Sequence, residues 1–124
     1  MPYPRHILRL TGRDVKPFLQ GITTQDVNRL ATTPLLFTAF LSPQGKLLFD
    51  GFLIAEGDAI LLDIAEAHRD LAQNYLTRYK LRADVQITDS GLTLTLGTGH
   101  PDPRHPALPA RLYSSPNRGE AGRG

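Results

Sequence analysis

Apolar and polar positions alternate along this chain with two periods, and the switches between them outline its elements. Ile7-Leu8-Arg9-Leu10 predicts a short strand closed by Thr11-Gly12. Phe18, Leu19 and Ile22 then give an apolar side to a helix starting near Asp14, whose carboxylate can accept from first-turn amides. Pro17 falls in that first turn, where a missing N–H is harmless. A second short helix is predicted from Thr23 or Thr24, with Asp26 near its positive end and Val27 and Leu30 buried. Leu35 to Leu41 reads as a strand apolar on both sides. Ser42-Pro43-Gln44-Gly45 matches a type I turn position by position, and its glycine suits the bulge that joins such a turn to a hairpin. The return strand runs from Lys46 to Ala55, Glu56-Gly57-Asp58 turns again, and Ala59 to Ile64 completes an antiparallel meander.

Ala67 to about Leu81 is predicted as the main helix. Leu71, Tyr75 and Tyr79 form its apolar stripe, widened by Ala72 and Leu76. Val85 and Ile87 alternate with polar residues. After a turn at Asp89-Ser90-Gly91, so do Leu92, Leu94 and Leu96, which predicts a hairpin with one buried face. Beyond Gly97 prolines crowd in at positions 101, 103, 106, 109 and 116, and glycines close the chain. The expected organisation is an α+β portion over residues 1–99, an antiparallel sheet with helices packed on one face. A Pro/Gly-rich tail over residues 100–124 is expected to be extended to about Tyr113 and disordered beyond.

Composition narrows the chemistry. A chain of 124 residues supports one real core. It has no cysteine, which removes disulfides, thiol nucleophiles and thiolate metal sites from its repertoire. No apolar run approaches the roughly 20 residues that span a bilayer, and the start lacks a signal peptide's apolar stretch, so the expectation is a cytoplasmic protein without a membrane partner. Ten Lys/Arg balance ten Asp/Glu over residues 1–99, and the surplus lies in the tail, at Arg104, Arg111, Arg118 and Arg123 against Asp102 and Glu120. A basic stripe on the folded part, the usual mark of a nucleic-acid binder, is missing. DNA is not an expected partner; the tail reads as solvated, with a phosphate- or RNA-touching arm as the alternative.

Asp50 is the candidate site residue. It lies in Leu47-Leu48-Phe49-Asp50-Gly51-Phe52-Leu53-Ile54, where alternation gives it the face of Leu48, Phe52 and Ile54. A carboxylate among such neighbours is costly unless paired. Gly51 leaves room for something to approach the backbone. Two readings stand open: a carboxylate lining a ligand pocket, or an edge aspartate tied to an amide or facing solvent. The four histidines say less. His100, Asp102 and His105 could be drawn as metal ligands, but nothing in that proline-rich segment implies the ordered surroundings such a site needs, and no metal is expected. His6 and His68 read as surface residues, and Tyr75 and Tyr79 as core residues with a wet hydroxyl.

Four blocks carry a family resemblance. Gly12-Arg13-Asp14 followed by Phe18-Leu19-Gln20-Gly21-Ile22-Thr23-Thr24-Gln25-Asp26-Val27 resembles the opening of the glycine-cleavage T-protein superfamily, with its "FLQG" and "TxDV" segments. Ala39 to Asp50 resembles the YgfZ version of the next hairpin. Leu76 to Val85 resembles the end of that family's long helix. Asp102-Pro103-Arg104 with Leu108 and Arg111 resembles the YgfZ "DPR…LGxR" segment, with Pro109 where the pattern has glycine.

The resemblance implies a multi-domain α+β fold around a channel that binds reduced folate. An aspartate in the hairpin strand faces the folate, and Asp50 matches it by motif. It also implies tetrahydrofolate as cofactor and iron–sulfur client proteins as partners, since the YgfZ branch supports assembly or repair of such proteins. The branch's "KGCYxGQE" signature belongs to a second half not present in these 124 residues. The chain is therefore expected to be the N-terminal half of its fold, inactive alone and prone to self-associate through the face meant for the missing half. A folate-dependent aminomethyltransferase and an inactive fragment are the competing readings. Paired aspartates are commoner in that strand of the glycine-cleavage enzymes, and Phe49 precedes Asp50 here.

Overall fold

Among the described residues are seven strands and two α-helices, and all but the last strand stand in the predicted order. A computed structural model describes residues 4–114. They form β1 (Arg5–Thr11), α1 (Val15–Ile22), β2 (Leu35–Leu41), β3 (Leu47–Glu56), β4 (Ala59–Ala65), α2 (Arg69–Lys80), β5 (Gln86–Asp89), β6 (Thr93–His100) and β7 (Arg111–Ser114), with 3₁₀ turns at Val27–Ala31 and Glu66–His68. Five strands make one sheet in the order β2-β3-β4-β1-β5, and β6 and β7 make a separate ribbon. All pairings are antiparallel. The meander β2-β3-β4 stands as predicted. Its first turn is a type I turn closed by Gly45 N–H donating to the Ser42 carbonyl at 2.9 Å, with Gly45 at φ 86°.

One face of the sheet carries Leu8, Leu10, Leu36, Phe40, Phe49, Leu53, Leu62 and Ile64, and the helices pack there. Phe40 and Phe49 stack at 4.5 Å, and the Tyr75 ring of α2 meets both edge-on, at 6.0 and 5.6 Å. The Tyr75 hydroxyl donates to the Leu41 carbonyl at 3.0 Å, which locks α2 across the hairpin. Burial raises the Tyr75 phenol above its ordinary value, with the neighbouring Tyr79 adding to it. The buried stripe of α2 is Ala72, Tyr75 and Leu76. Leu71 and Tyr79, expected in that stripe, lie at its margins and are 41% and 37% exposed. Asp14 stands at the α1 N-cap position, but its carboxylate accepts from the Asp84 amide at 2.8 Å instead of capping the helix. The second predicted helix is a single 3₁₀ turn; Asp26 caps it by accepting from the Asn28 amide at 3.0 Å, and Val27 and Leu30 are buried as expected. After α2 the chain turns at Leu81, whose φ of 45° is held at a cost of about 1–3 kcal/mol for a non-glycine residue.

The opposite face carries Ile7, Leu35, Phe52, Ile54 and Leu61, with Phe37, Leu92 and Tyr113 packed against them. The β6-β7 ribbon contributes to this cover, which corrects two expectations. The hairpin predicted between Val85–Ile87 and Leu92–Leu96 does not form, because β5 pairs with β1 and β6 pairs with β7. The boundary set at residue 99 falls inside β6. Residues 101–114 are anchored at Asp102 and Arg111, which are buried, and end in β7, while residues 103–109 between them are exposed. The disorder expected beyond Tyr113, and Arg118, Glu120 and Arg123, lie outside the described residues apart from Ser114, which is in β7.

What returns this segment is a charge. The Asp63 side chain is fully buried beneath the ribbon. Its carboxylate accepts from Arg5 Nε at 2.8 Å, Arg111 Nη2 at 2.7 Å and the Tyr113 hydroxyl at 2.6 Å. Arg111 Nε also donates to the Tyr113 hydroxyl at 3.0 Å, and the guanidinium lies 3.9 Å from the centre of the Phe52 ring. Asp102 is gripped by Arg104 through side chain and amide, at 2.7 and 2.9 Å, and stands 3.8 Å from Arg111. Burial, reinforced by the Asp63 charge, pushes the Tyr113 phenol far above its ordinary value. Burial alone would raise the Asp102 carboxyl, but its bonds to Arg104 and the charge of Arg111 outweigh that and hold it below the usual carboxylate range.

Two predictions follow from this clasp. Asp63→Ala leaves buried Arg111 without its carboxylate and should cost about 3–5 kcal/mol, read from the urea midpoint. Asp102, depressed in the folded state, contributes stability that is complete above its unfolded pKa of about 3.9 and is lost as pH falls through the lower folded value. The melting temperature should therefore fall on acidification below about pH 4, and less steeply in Asp102→Asn.

Candidate functional site

Alternation along β3 turns Phe49 and Leu53 to the helix-covered face and Asp50, Phe52 and Ile54 to the ribbon-covered one. Leu48 departs from the expected pattern. The β2-β3 register shifts between Phe40 and Leu41, and Leu48 packs with the helix-side cluster. Asp50 lies opposite Ala39 of β2, a neighbour too small to cover it. Pairing of β3 with β4 begins at Gly51, so Asp50 stands just outside that ladder. The carboxylate is half-buried and has no hydrogen-bond partner among the described residues. The reading of Asp50 as tied to an amide therefore loses its partner, while an edge aspartate facing solvent and a carboxylate lining a pocket both stay open. Gly51 serves a different purpose from the one expected: a Cβ there would stand 2.4 Å from the Asp63 carbonyl oxygen, so the neighbouring strand takes the space.

Two residues along the strand, about 7 Å away, Phe52 meets Phe37 edge-on at 5.1 Å. Arg104 lies over both rings, 4.8 Å from the Phe52 centroid and 5.3 Å from that of Phe37. This corner of the sheet thus presents, two residues apart on one strand face, a carboxylate without a hydrogen-bond partner among the described residues and an aromatic pair capped by a guanidinium. An ionised carboxylate is acceptor-only, with two oxygens side by side. It suits a ligand edge with adjacent N–H donors.

The larger depressions lie elsewhere. One of about 730 Å³ is lined by Gly12, Arg13, Lys16 and the β3-β4 turn at Glu56–Asp58. Beside it Glu56 accepts from Arg9 at 2.7 and 2.9 Å, and that bond lowers the Glu56 carboxyl. A cleft of about 370 Å³ lies between Gly21–Thr24, Leu41–Pro43, Tyr75 and Tyr79. Asp50 lines neither of these.

The other residues singled out in the sequence separate. Asp102 belongs to the clasp. His105 Nδ1 accepts from the Ala107 amide at 3.0 Å, and His100 is exposed on β6. His6 and His68 are partly exposed, but His6 Nε2 and His68 Nδ1 are buried without a hydrogen-bond partner among the described residues, His6 Nε2 being 4.0 Å from Asp89. Sequence reasoning passed over Asp63, although Ile60-Leu61-Leu62-Asp63-Ile64 carried the same signal as Asp50, a carboxylate inside an apolar strand.

Comparison with known proteins gives the following. No family model matches the chain. It is 29% identical over 93 residues to the protein named iron-sulfur cluster assembly factor IBA57 homolog, mitochondrial, of Pyricularia oryzae, covering 70% of this chain and 24% of that protein. The homologue of the same name from Mycosarcoma maydis is 30% identical over 98 residues, covering 68% of this chain and 24% of its own length. That from Dictyostelium discoideum is 29% identical over 111 residues, covering 68% and 27%. The chain thus spans about a quarter of the length of these relatives. Among solved structures, glycine cleavage system aminomethyltransferase T from Bartonella henselae shares the fold with a TM-score of 0.66 at 14% identity, over 73% of this chain and 25% of that one.

The relatives are mitochondrial by name, which overturns the expected cytoplasmic location. That expectation rested on a missing apolar leader, and the segments that direct proteins to mitochondria are amphipathic and arginine-rich rather than apolar. Sequence and fold support the resemblance carried by the four blocks: the chain is similar to the N-terminal part of the YgfZ / glycine-cleavage T-protein superfamily.

Proposed function

We propose that this chain supplies one wall, with Asp50, of a tetrahydrofolate-binding protein that serves the assembly or repair of iron–sulfur proteins. The observation that carries the reading is the similarity over about 70% of the chain to proteins named iron-sulfur cluster assembly factors. Folate enters through the superfamily, and the chemistry of Asp50 fits it. A half-exposed, unpartnered carboxylate beside an aromatic wall can accept from the N–H groups of a pterin edge, while the rings of Phe37 and Phe52 supply apolar contact. The opposite walls would come from parts of the fold outside this chain. The iron–sulfur clients would engage the assembled protein, and no step of cluster chemistry falls to this chain, which has no cysteine.

The competing reading, a folate-dependent aminomethyltransferase, draws on the fold of the Bartonella henselae enzyme. One local feature disfavours it. The position before Asp50, where glycine-cleavage enzymes more often pair a second aspartate, is Phe49, 2% exposed and stacked on Phe40 in the core. A third reading, an inactive fragment, separates from the first by experiment.

Charge-assisted hydrogen bonds to a carboxylate contribute about 1.5–3 kcal/mol when water is excluded. In a full-length relative, Asn in place of the aspartate matching Asp50 should weaken tetrahydrofolate binding about 10-fold or more, with little change in melting temperature. The 124-residue chain alone should bind weakly or not at all, since affinity needs enclosure on several sides. Calorimetric titration of both proteins checks this. Unchanged affinity in the full-length variant removes Asp50 from the site, and tight binding by the short chain refutes the one-wall reading.

A further inference from the structure

The clasp sets three guanidiniums, Arg5, Arg104 and Arg111, against two carboxylates, Asp63 and Asp102. One positive charge is left over, and burial decides where it is felt. The side chain of Arg111 is 6% exposed and that of Arg5 19%, whereas that of Arg104 is 40% exposed. Arg104 Nε and Nη2 donate to the Asp102 carboxylate at 3.0 and 2.7 Å, and the Arg104 amide donates to it at 2.9 Å. Nη1 has no hydrogen-bond partner among the described residues. Asp102, itself buried, therefore fixes the guanidinium and leaves one of its nitrogens unused.

The floor beneath it is defined by the strand register. On this face Phe37 lies opposite Phe52, and Ala39 lies opposite Asp50. Opposite side chains stand about 5 Å apart and successive ones along a strand face about 7 Å. Arg104 lies over both rings, 4.8 and 5.3 Å from their centres. Asp50 occupies the neighbouring corner, and no ion pair joins it to Arg104 or to another cation among the described residues. Ala39, next to both Phe37 and Asp50, adds little height. The floor thus carries a fixed cation over its aromatic half and a carboxylate on its other half.

We infer that Arg104 is a second ligand-binding residue of the Asp50 site and takes a carboxylate at the end of the ligand remote from the N–H edge that Asp50 accepts. The inference rests on the folate reading and adds to it which end of the ligand lies where: the pterin edge at Asp50, the glutamate carboxylates toward Arg104. A carboxylate fits better than a phosphate. A guanidinium already held by Asp102 offers one nitrogen and one surplus charge, which suits a single charged oxygen. A phosphate asks for several donors and would face the Asp102 charge with more of its own. The competing role for Arg104 is to neutralise buried Asp102 and nothing more, and Arg111, 3.8 Å from that carboxylate, already shares this task.

The test uses a full-length relative that carries residues matching Asp50 and the Asp102-Pro103-Arg104 segment, titrated calorimetrically with tetrahydrofolate and with 6-methyltetrahydropterin, which has the same N–H edge and no carboxylate. The wild type should bind tetrahydrofolate about 10-fold or more tighter than the pterin, and added salt should erode that advantage while leaving the pterin affinity unchanged. The variant matching Arg104→Gln should lose the advantage and keep the pterin affinity, whereas that matching Asp50→Asn should weaken both ligands. The pterin serves as the check on fold, and the salt series on the wild type needs no variant at all. A wild type without preference for tetrahydrofolate, a preference insensitive to salt, or a preference that survives in Arg104→Gln overturns the inference. So does an equal loss of both ligands in Arg104→Gln, the result of a purely structural arginine. In these cases binding that depends on Asp50 leaves the folate reading standing, whereas a wild type that binds neither ligand removes that reading and this inference together.

Discussion

Burying the Asp63 carboxylate is the constraint around which the second face of this fold is arranged. A five-stranded sheet with apolar side chains on both faces needs two covers, and the helices supply only one. The other face carries a carboxyl group at its centre, directly opposite Ile7 and Phe52, where an unpaired charge would be prohibitive. Arg5 from the first strand and Arg111 and Tyr113 from the last close on it together. Residues more than 100 positions apart are thereby held at one point, and the proline-rich segment between β6 and β7 is drawn onto the sheet. Such a pair adds little stability over a well-packed apolar core, but breaking it from one side is costly. Its effect is to specify where the ribbon sits.

The clasp also shapes the candidate site. Arg111 and Arg104 lie over Phe52, and Arg104 reaches Phe37, so the aromatic wall next to Asp50 is ordered by the group that anchors the ribbon. Asp50 itself lies past the last paired position of β3 and β4, and its carboxylate has no hydrogen-bond partner among the described residues. The contrast between the two aspartates is instructive. Both interrupt apolar strands and point to the same face. Asp63 is met by three donors from its own chain, and Asp50 has no side-chain hydrogen-bond partner among the described residues.

The sequence by itself determined the local elements. The meander, its type I turn with the bulge glycine and the helix across it were legible because each rests on neighbours: alternation for strands, a stripe for the helix, turn residues at fixed offsets. The family was legible in four short blocks, and Asp50 as a candidate because a carboxylate in an apolar strand demands a reason. Only the tertiary structure decided how the ends of the chain are used. The hairpin expected at residues 85–96 failed because both strands found partners far away in sequence, β5 on β1 and β6 on β7, and alternation is silent about which strand lies alongside. The segment to Tyr113 was expected as extended chain, but its anchoring was not legible, because proline and charge content measure the solubility of a segment, whereas its docking depends on a buried carboxylate some 48 residues earlier that no local pattern connects to Arg111. For the same reason the roles of Asp63 and Asp50 could not be told apart from sequence: the difference lies in which side chains reach each carboxylate, and that is set by long-range packing.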